Sequence, residues 1–340
     1  MHDLPQPGLP ALLSPTSAPS NLKVGVLLWP QGATWKQLLD AARRADRAGL
    51  DSVWTWDHLR PLVGPPDAPI FEGWTTVAAL AASTDRCGVG LMVGAALLRH
   101  AELVVKSAIT VDHISGGRCV LGLGAGSVAT EHDQLGGPIE IGTRDRIAHL
   151  ERTAARVQEL LGRGNVRESP RAENFRDRPQ VPVLAAPGPV PGGMGVPILI
   201  GGSGRRFTIP VAARYADIWS PGAPTVAIDH VAHRSALLDE ACRSIGRDPA
   251  EIERTLGPTI VIRDRPDDAR DVIEGALRAN GVAAWGDESS TWLGSPIEIA
   301  ERWKAYAAVG FRHLITELLP PFDEETIERI VEVRELVGNT

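Results

Sequence analysis

Short β-type runs alternate with amphipathic helical stretches from Asn21 onward, and that alternation restricts the chain to folds built on a parallel sheet. The rhythm opens with Leu22–Trp29 as a strand and Thr34–Ala48 as a helix that stops at Gly49, a residue suited to a left-handed helix end. Strand Ser52–Trp56, helix Trp74–Thr84, strand Gly88–Gly94, helix Glu102–Ile114, strand Cys119–Ala125 and helix Thr143–Leu161 follow. After an interruption come strand Val196–Ile200, helix Arg205–Tyr215, strand Asp217–Trp219, helix Val226–Ile245 and strand Leu256–Ile262. Helices Pro266–Asn280 and Pro296–Val309, strand His313–Glu317 and helix Asp323–Leu336 close the chain. These are eight strand candidates with helices between them, and an α/β (β/α)8 TIM barrel is the simplest closed arrangement for such a set. A doubly wound open sheet would want a dinucleotide fingerprint in its first unit and a linker near the middle, and neither is present.

Two segments break the pattern. Residues 1–20, with Pro5, Pro7, Pro10, Pro15 and Pro19 among small and polar neighbours, read as a loose tail. Arg163 to Gly195 is rich in proline, glycine and arginine and reads as an insertion after the fourth βα unit, covering part of the barrel mouth. The remainder, 21–340, is expected to be one barrel domain, which its 340-residue length and 43% hydrophobic composition permit.

Composition narrows the function classes. A formal charge of −7 without a long basic run marks no surface for nucleic acid or anionic lipid, so a small-molecule substrate is the expectation. No run of eighteen apolar residues and no basic leader occurs, which points to a cytoplasmic chain without a membrane span. Cys87, Cys119 and Cys242 are odd in number and far apart, arguing for reduced core thiols and against a disulfide framework or a clustered metal site.

In a barrel, chemistry collects at the C-terminal ends of the strands. The second strand ends Val53-Trp54-Thr55-Trp56-Asp57-His58, and its alternation puts Val53, Thr55 and Asp57 on one face and both tryptophans on the other, where they are expected to pack against helices. Asp57 and His58 then stand at the mouth, where an imidazole can exchange protons near neutral pH and a carboxylate can accept from a ring N–H. A simple Asp-His turn is the plainer alternative. The fourth strand places Gly122, Gly124 and Gly126 on one face, a side-chain-free wall that admits a flat ring or phosphate chain if it faces the interior, or serves barrel packing alone. Ser127 and Ala129 occupy the positions that would complete G-x-G-x-x-G, which disfavours a dinucleotide motif. The fifth strand exits through Gly201-Gly202-Ser203-Gly204-Arg205-Arg206 into a helix, a set of backbone N–H groups and cations suited to a phosphate. It matches neither a Walker loop nor a nucleophile elbow. Glu131-His132-Asp133 lacks metal-site spacing and suits a helix start or a cofactor contact. His100 and His113 sit by helix ends, and Trp29 either lines the mouth or plugs the barrel.

Four stretches, AGLDSVWTWDH (Ala48–His58), EGWTTVAALAA (Glu72–Ala82), GGRCVLGLGAG (Gly116–Gly126) with Glu131-His132, and VPILIGGSGRRFTIPVAARYADIW (Val196–Trp219), together resemble the luciferase-like flavin and deazaflavin oxidoreductases, in particular the branch that uses coenzyme F420. The resemblance runs from about Asn21 to Leu336 apart from Arg163–Gly195. It implies a cofactor in the barrel mouth, its ring against the ends of strands two to four near Asp57 and His58, and its phosphate on Gly201, Gly202, Ser203 and Gly204 with Arg205 or Arg206 nearby. It also implies a bulge with a non-prolyl cis peptide behind the ring, at Met92-Val93-Gly94. The implied reaction is hydride transfer between coenzyme F420 and a C=C, C=N or C=O bond, with His58 or a water supplying the proton. The alternative it leaves is a monooxygenase using reduced FMN and oxygen. Relatives are commonly dimers through barrel helices. The chain departs from the branch's glucose-6-phosphate dehydrogenases at Leu62, where they carry an aromatic residue, so a sugar phosphate is not the expected substrate.

Overall fold

Extended runs of mixed β-branched and small residues pair in parallel with their sequence neighbours, and the last pairs back onto the first. The computed structural model of the chain describes residues 22–126, 128, 131, 142–163, 195–222 and 226–338. In chain order the elements are β1 (Lys23–Leu28), α1 (Trp35–Ala48), β2 (Ser52–Thr55), α2 (Gly73–Ala81), β3 (Gly88–Leu91), β4 (Gly94–Ala95), α3 (Ala101–Ser115) and β5 (Cys119–Gly124). They continue with α4 (Thr143–Leu160), β6 (Ile198–Gly201), α5 (Thr208–Tyr215), β7 (Ile218–Ser220), α6 (Ile228–Ser244), β8 (Glu253–Leu256), β9 (Thr259–Ile262) and α7 (Pro266–Ala279). The last are β10 (Thr291–Gly294), α8 (Pro296–Ala308), β11 (His313–Leu318) and α9 (Glu324–Gly338).

The sheet order β3-β2-β1-β11-β8-β7-β6-β5-β4, with β3 also paired to β5, closes a parallel ring in which β3 and β4 act as one interrupted strand. The register Gly25↔Ile315 and Val26↔Thr316 seals first strand to last. This is the expected (β/α)8 barrel. The Pro-rich tail and all of the insertion except Arg163 and Gly195 lie outside the described residues. Among the described residues no helix is long and apolar enough to cross a membrane, and Cys87, Cys119 and Cys242 are buried and form no disulfide.

Local chemistry sets the helix limits. Thr34 and Gln37 form a reciprocal capping box at the start of α1, and Gly49 ends it at φ 86°. Ser295 and Glu298 repeat the box on α8, with Pro296 in its first turn.

Two expectations need correction. Trp54 and Trp56 face the barrel interior with Leu27, Trp29, Leu199 and Ile315, whereas Val53 joins the layer between strands and helices. The alternation holds, and its direction is the reverse of the one expected. The reason is reciprocal size: a Cβ on Gly90 would stand 3.0 Å from the Trp54 ring, so glycine on the adjacent strand makes room for the inward indole. Second, Leu256–Ile262 is not one strand. It breaks at Gly257-Pro258 into β8, which belongs to the barrel, and β9, which pairs with the unforeseen β10 in a separate two-stranded parallel ribbon. The helical pattern of α7 and α8 on either side hid β10, whose Trp292 is fully buried.

Candidate active site

A cavity of about 500 Å3 opens at the C-terminal ends of the strands. It draws its walls from several units: His58 after β2, Met92 and Val93 between β3 and β4, Gly124 and Gly126 at the end of β5, Gly201 to Ser203 after β6, and Glu317 on β11.

His58 is held from behind. Its Nδ1 lies 3.0 Å from Glu131 Oε2, and Glu131 also accepts the backbone N–H of Leu59 at 2.9 Å. Glu131 is 2% exposed. Burial opposes its ionisation, but the His58 and backbone hydrogen bonds prevail and hold the carboxyl below its ordinary value. With Nδ1 committed, Nε2 is the ring nitrogen left for the cavity, the arrangement that fixes an imidazole tautomer for proton transfer. Glu131, expected as a cofactor contact, therefore acts behind His58 instead of lining the cavity, because the turn after β2 offers it two N–H donors and an imidazole at once. Glu131→Ala is expected to cost about 1–3 kcal/mol of stability by stranding the Leu59 and Arg60 N–H groups, as read by denaturant unfolding; an unchanged midpoint would contradict this role.

Asp57 borders the cavity, but its carboxylate is spent below it. Arg99 Nη2 donates to Asp57 Oδ1 at 2.9 Å, and the same guanidinium reaches Glu72, the cap of α2. Asp57 is thus a buried anchor joining the second and third units. The partner Arg99 was not singled out in the sequence, where nothing separates it from other surface-type arginines.

The peptide Met92–Val93 is cis and non-prolyl, in the place the resemblance implied. Its neighbours explain the glycine wall. A Cβ on Gly122 would stand 1.8 Å from the Leu91 carbonyl oxygen, and one on Gly124 would stand 2.5 Å from Val93 Cγ2. A Cβ on Gly201 would stand 2.9 Å from Val93 Cγ1. The wall does face the interior, yet it chiefly admits the Leu91–Val93 backbone and side chain, which in turn form the cavity's back. Gly122 and Gly94 lie beneath that layer, while Gly124 and Gly126 reach the cavity.

After β6, the Gly202 N–H is taken by the Ser220 carbonyl and the Gly204 N–H by Thr208 Oγ1 at 2.9 Å. Among the described residues the backbone N–H groups of Ser203, Arg205 and Arg206 have no protein acceptor. Gly201, Gly202 and Ser203 line the cavity; Arg205 and Arg206 are exposed and outside it, since the turn before α5 carries them toward solvent. The cation that lines it is Arg146, in the first turn of α4, whose buried Nε has no partner. The free Ser203 N–H, an orphaned guanidinium nitrogen and the glycines at the cavity's edge fit a phosphate-bearing planar cofactor.

The sequence reading also passed over Glu317. Trp29 Nε1 and Trp285 Nε1 each donate to its carboxylate at 2.9 Å. Burial pushes this carboxyl up to about 7, against the indole donors. Trp29, completely buried, plugs the barrel beneath it. His100 is exposed ahead of α3, and His113, on its last turn, is likewise exposed outside the cavity. Glu317 sits at the end of the last strand, so a survey of every strand end would have found it.

Comparison with known proteins agrees with this geometry. Residues 15–308 match the family model for luciferase-like monooxygenases. The chain is 28% identical over 303 residues to an F420-dependent glucose-6-phosphate dehydrogenase of Kineococcus radiotolerans, covering 82% of this chain and 86% of that protein. Among solved structures it superposes on an F420-dependent secondary alcohol dehydrogenase in complex with an F420-acetone adduct (TM-score 0.70, 17% identity, 93% of this chain and 99% of that one). It superposes similarly on the oxygenating constituent of 3,6-diketocamphane monooxygenase from Pseudomonas putida in complex with FMN (TM-score 0.69, 16% identity, 94% and 99%). With most of its length inside the matched region and the barrel closed around this cavity, the chain belongs to the luciferase-like monooxygenase family.

Proposed function

We propose that the chain is an oxidoreductase that transfers a hydride between coenzyme F420 and an electron-poor C=C, C=N or C=O bond of a small organic substrate. The observation that carries the reading is His58, held by Glu131 from behind and facing the cavity beside the Met92–Val93 wall. When bound, the coenzyme supplies a two-electron hydride carrier. The choice of F420 over FMN rests on the relatives, whose names include F420-dependent dehydrogenases acting on a sugar phosphate and on hydroxymycolic acid.

The chain's own residues do the rest. Met92 and Val93 back the ring, and Gly124 and Gly126 leave space for it. Ser203 N–H and Arg146 take the phosphate, with Gly201 and Gly202 giving close backbone approach. His58 holds or passes a proton at Nε2, oriented by Glu131, and Asp57 braces the turn that carries it. Leu62, Leu27, Val93 and Ile315 make the remaining wall apolar, which favours an enone, imine or ketone over the sugar phosphate of the Kineococcus relative. The same proposal places the enzyme in the cytoplasm as a homodimer acting on a free small molecule, with one barrel domain over 21–340.

Reduced coenzyme F420 incubated anaerobically with enones, imines and ketones tests the reading by loss of the reduced form and appearance of reduced product. Consumption of the substrate without oxygen is expected. Turnover that needs reduced FMN and oxygen, with none from the deazaflavin, would replace it with the monooxygenase reading that the diketocamphane enzyme's fold allows.

A further inference from the structure

We propose that Glu317 is a second proton-exchanging residue of this site and delivers to the substrate the proton that accompanies the hydride. The inference rests on the reading above and deepens it.

Three chain segments distant in sequence converge on this one carboxylate. Trp29 follows β1, Trp56 follows β2, and Trp285 lies between α7 and β10. Their rings touch one another, with centroids 4.6 Å apart for Trp29 and Trp56, 4.7 Å for Trp29 and Trp285, and 5.7 Å for Trp56 and Trp285. The indole N–H groups of Trp29 and Trp285 donate to Glu317, one to each carboxylate oxygen, and the Trp56 ring packs against both indoles. An ionised carboxylate offers about four lone-pair positions, and two neutral donors leave two. Those remaining positions are where a proton or a substrate heteroatom is accommodated, and Glu317 lines the cavity that His58 also lines.

A carboxylate kept for structure alone is ordinarily paired with a cation when buried. Among the described residues no lysine, arginine or histidine forms an ion pair with Glu317. The charged and titratable groups around it are Asp57, His58 and Arg146 in the same cavity, and Asp271, Asp323, Glu324 and Glu325 along the cleft on its other side. Asp57 and Asp323 are themselves committed to Arg99 and Arg263. The indoles do not titrate, so they hold the anion in place without fixing its protonation state. Trp56 stands edge-on to His58 at 6.0 Å, so the two proton-bearing groups flank one ring.

The step balances. The substrate carbon of C=X accepts the hydride, the π pair moves to X, and X takes the proton from Glu317. The carboxylate left behind is held by the Trp29 and Trp285 indoles and is reprotonated from water. The substrate gains two electrons and the coenzyme loses two. In the reverse direction the same carboxylate accepts the proton of the alcohol or amine.

The test has one arm that needs no coenzyme. Indole fluorescence and near-ultraviolet absorbance of the chain alone, followed against pH, should show a transition centred near 7 that is absent in Glu317→Gln. In the loaded enzyme Glu317→Gln should lower kcat by about 100-fold and abolish the alkaline limb of the pH profile, with coenzyme affinity within about threefold of wild type. Acetate or formate should restore part of the turnover of Glu317→Ala, which a merely structural residue would not allow. The proposal is overturned if the indole transition is missing from the wild type, or if Glu317→Gln keeps wild-type kcat and the alkaline limb. A wild type that shows the indole transition but never oxidises the reduced coenzyme overturns the proposed function, and this proton delivery with it.

Discussion

Replacing His58 by alanine is expected to lower kcat by about 100- to 10,000-fold while leaving coenzyme affinity within about threefold. The split between the two quantities follows from placement. Met92, Val93, Gly124, Gly126 and the loop after β6 line the cavity proposed to hold the cofactor, and none of them bonds to His58. What the imidazole adds is a single oriented nitrogen at the reacting centre, with Glu131 fixing which nitrogen that is. Its loss removes hydrogen bonding in the transition state and little binding surface. His58→Gln, which retains a polar group without proton exchange, should resemble alanine. If either variant keeps turnover within threefold, on the order of the scatter between ordinary surface variants, His58 is not a participant.

Gly122→Ala should be the most damaging single methyl group in the barrel. A Cβ there would lie 1.8 Å from the Leu91 carbonyl oxygen, a contact with backbone that no side-chain rotation relieves. The strand carrying Leu91 must move, and the Met92–Val93 wall moves with it. Overpacking of this kind costs about 1–3 kcal/mol, and the displacement of Val93 from the space above Gly124 and Gly201 should weaken coenzyme binding by more than tenfold, roughly 1.4 kcal/mol. Gly116→Ala, where nothing stands within 4 Å, separates the two effects: it tests backbone conformation alone, since Gly116 has φ 71°. A Gly122→Ala protein that unfolds at the wild-type denaturant midpoint and binds coenzyme normally would show that the Leu91–Val93 segment is not tightly packed.

The barrel was legible because its signal is repeated. Each βα unit carries its own alternation, its own glycine or capping residue, and a misreading in one leaves the others intact. What the sequence could not state was direction. Alternation separates Val53, Thr55 and Asp57 from Trp54 and Trp56, but which set faces inward depends on the neighbouring strand, where Gly90 is the complement to Trp54. Breaks inside apolar runs were equally opaque: Gly257-Pro258 lies between two β-type runs that read as one, although only the first pairs in the barrel.

For the site, proximity along the chain was the limit. Asp57-His58, Gly122 to Gly126 and Gly201 to Ser203 stand out because each is a local motif at a strand end. Glu131 was singled out, but its service to His58 spans 73 residues and is visible only once both are placed. Arg99, Arg146 and Glu317 carry no local signature at all. Their surroundings come from what the barrel brings beside them: an aspartate, the cavity mouth after β6, and indole donors from separate units.

The central claim is a barrel mouth built for coenzyme F420, and direct titration tests it most simply. Oxidised coenzyme F420 and FMN, added separately to the chain and followed by their visible absorbance and fluorescence, should differ in affinity. The account predicts saturable binding of the deazaflavin with a shifted ring band and FMN weaker by at least tenfold, about 1.4 kcal/mol. Tight, saturable binding of FMN with none of coenzyme F420 would contradict it.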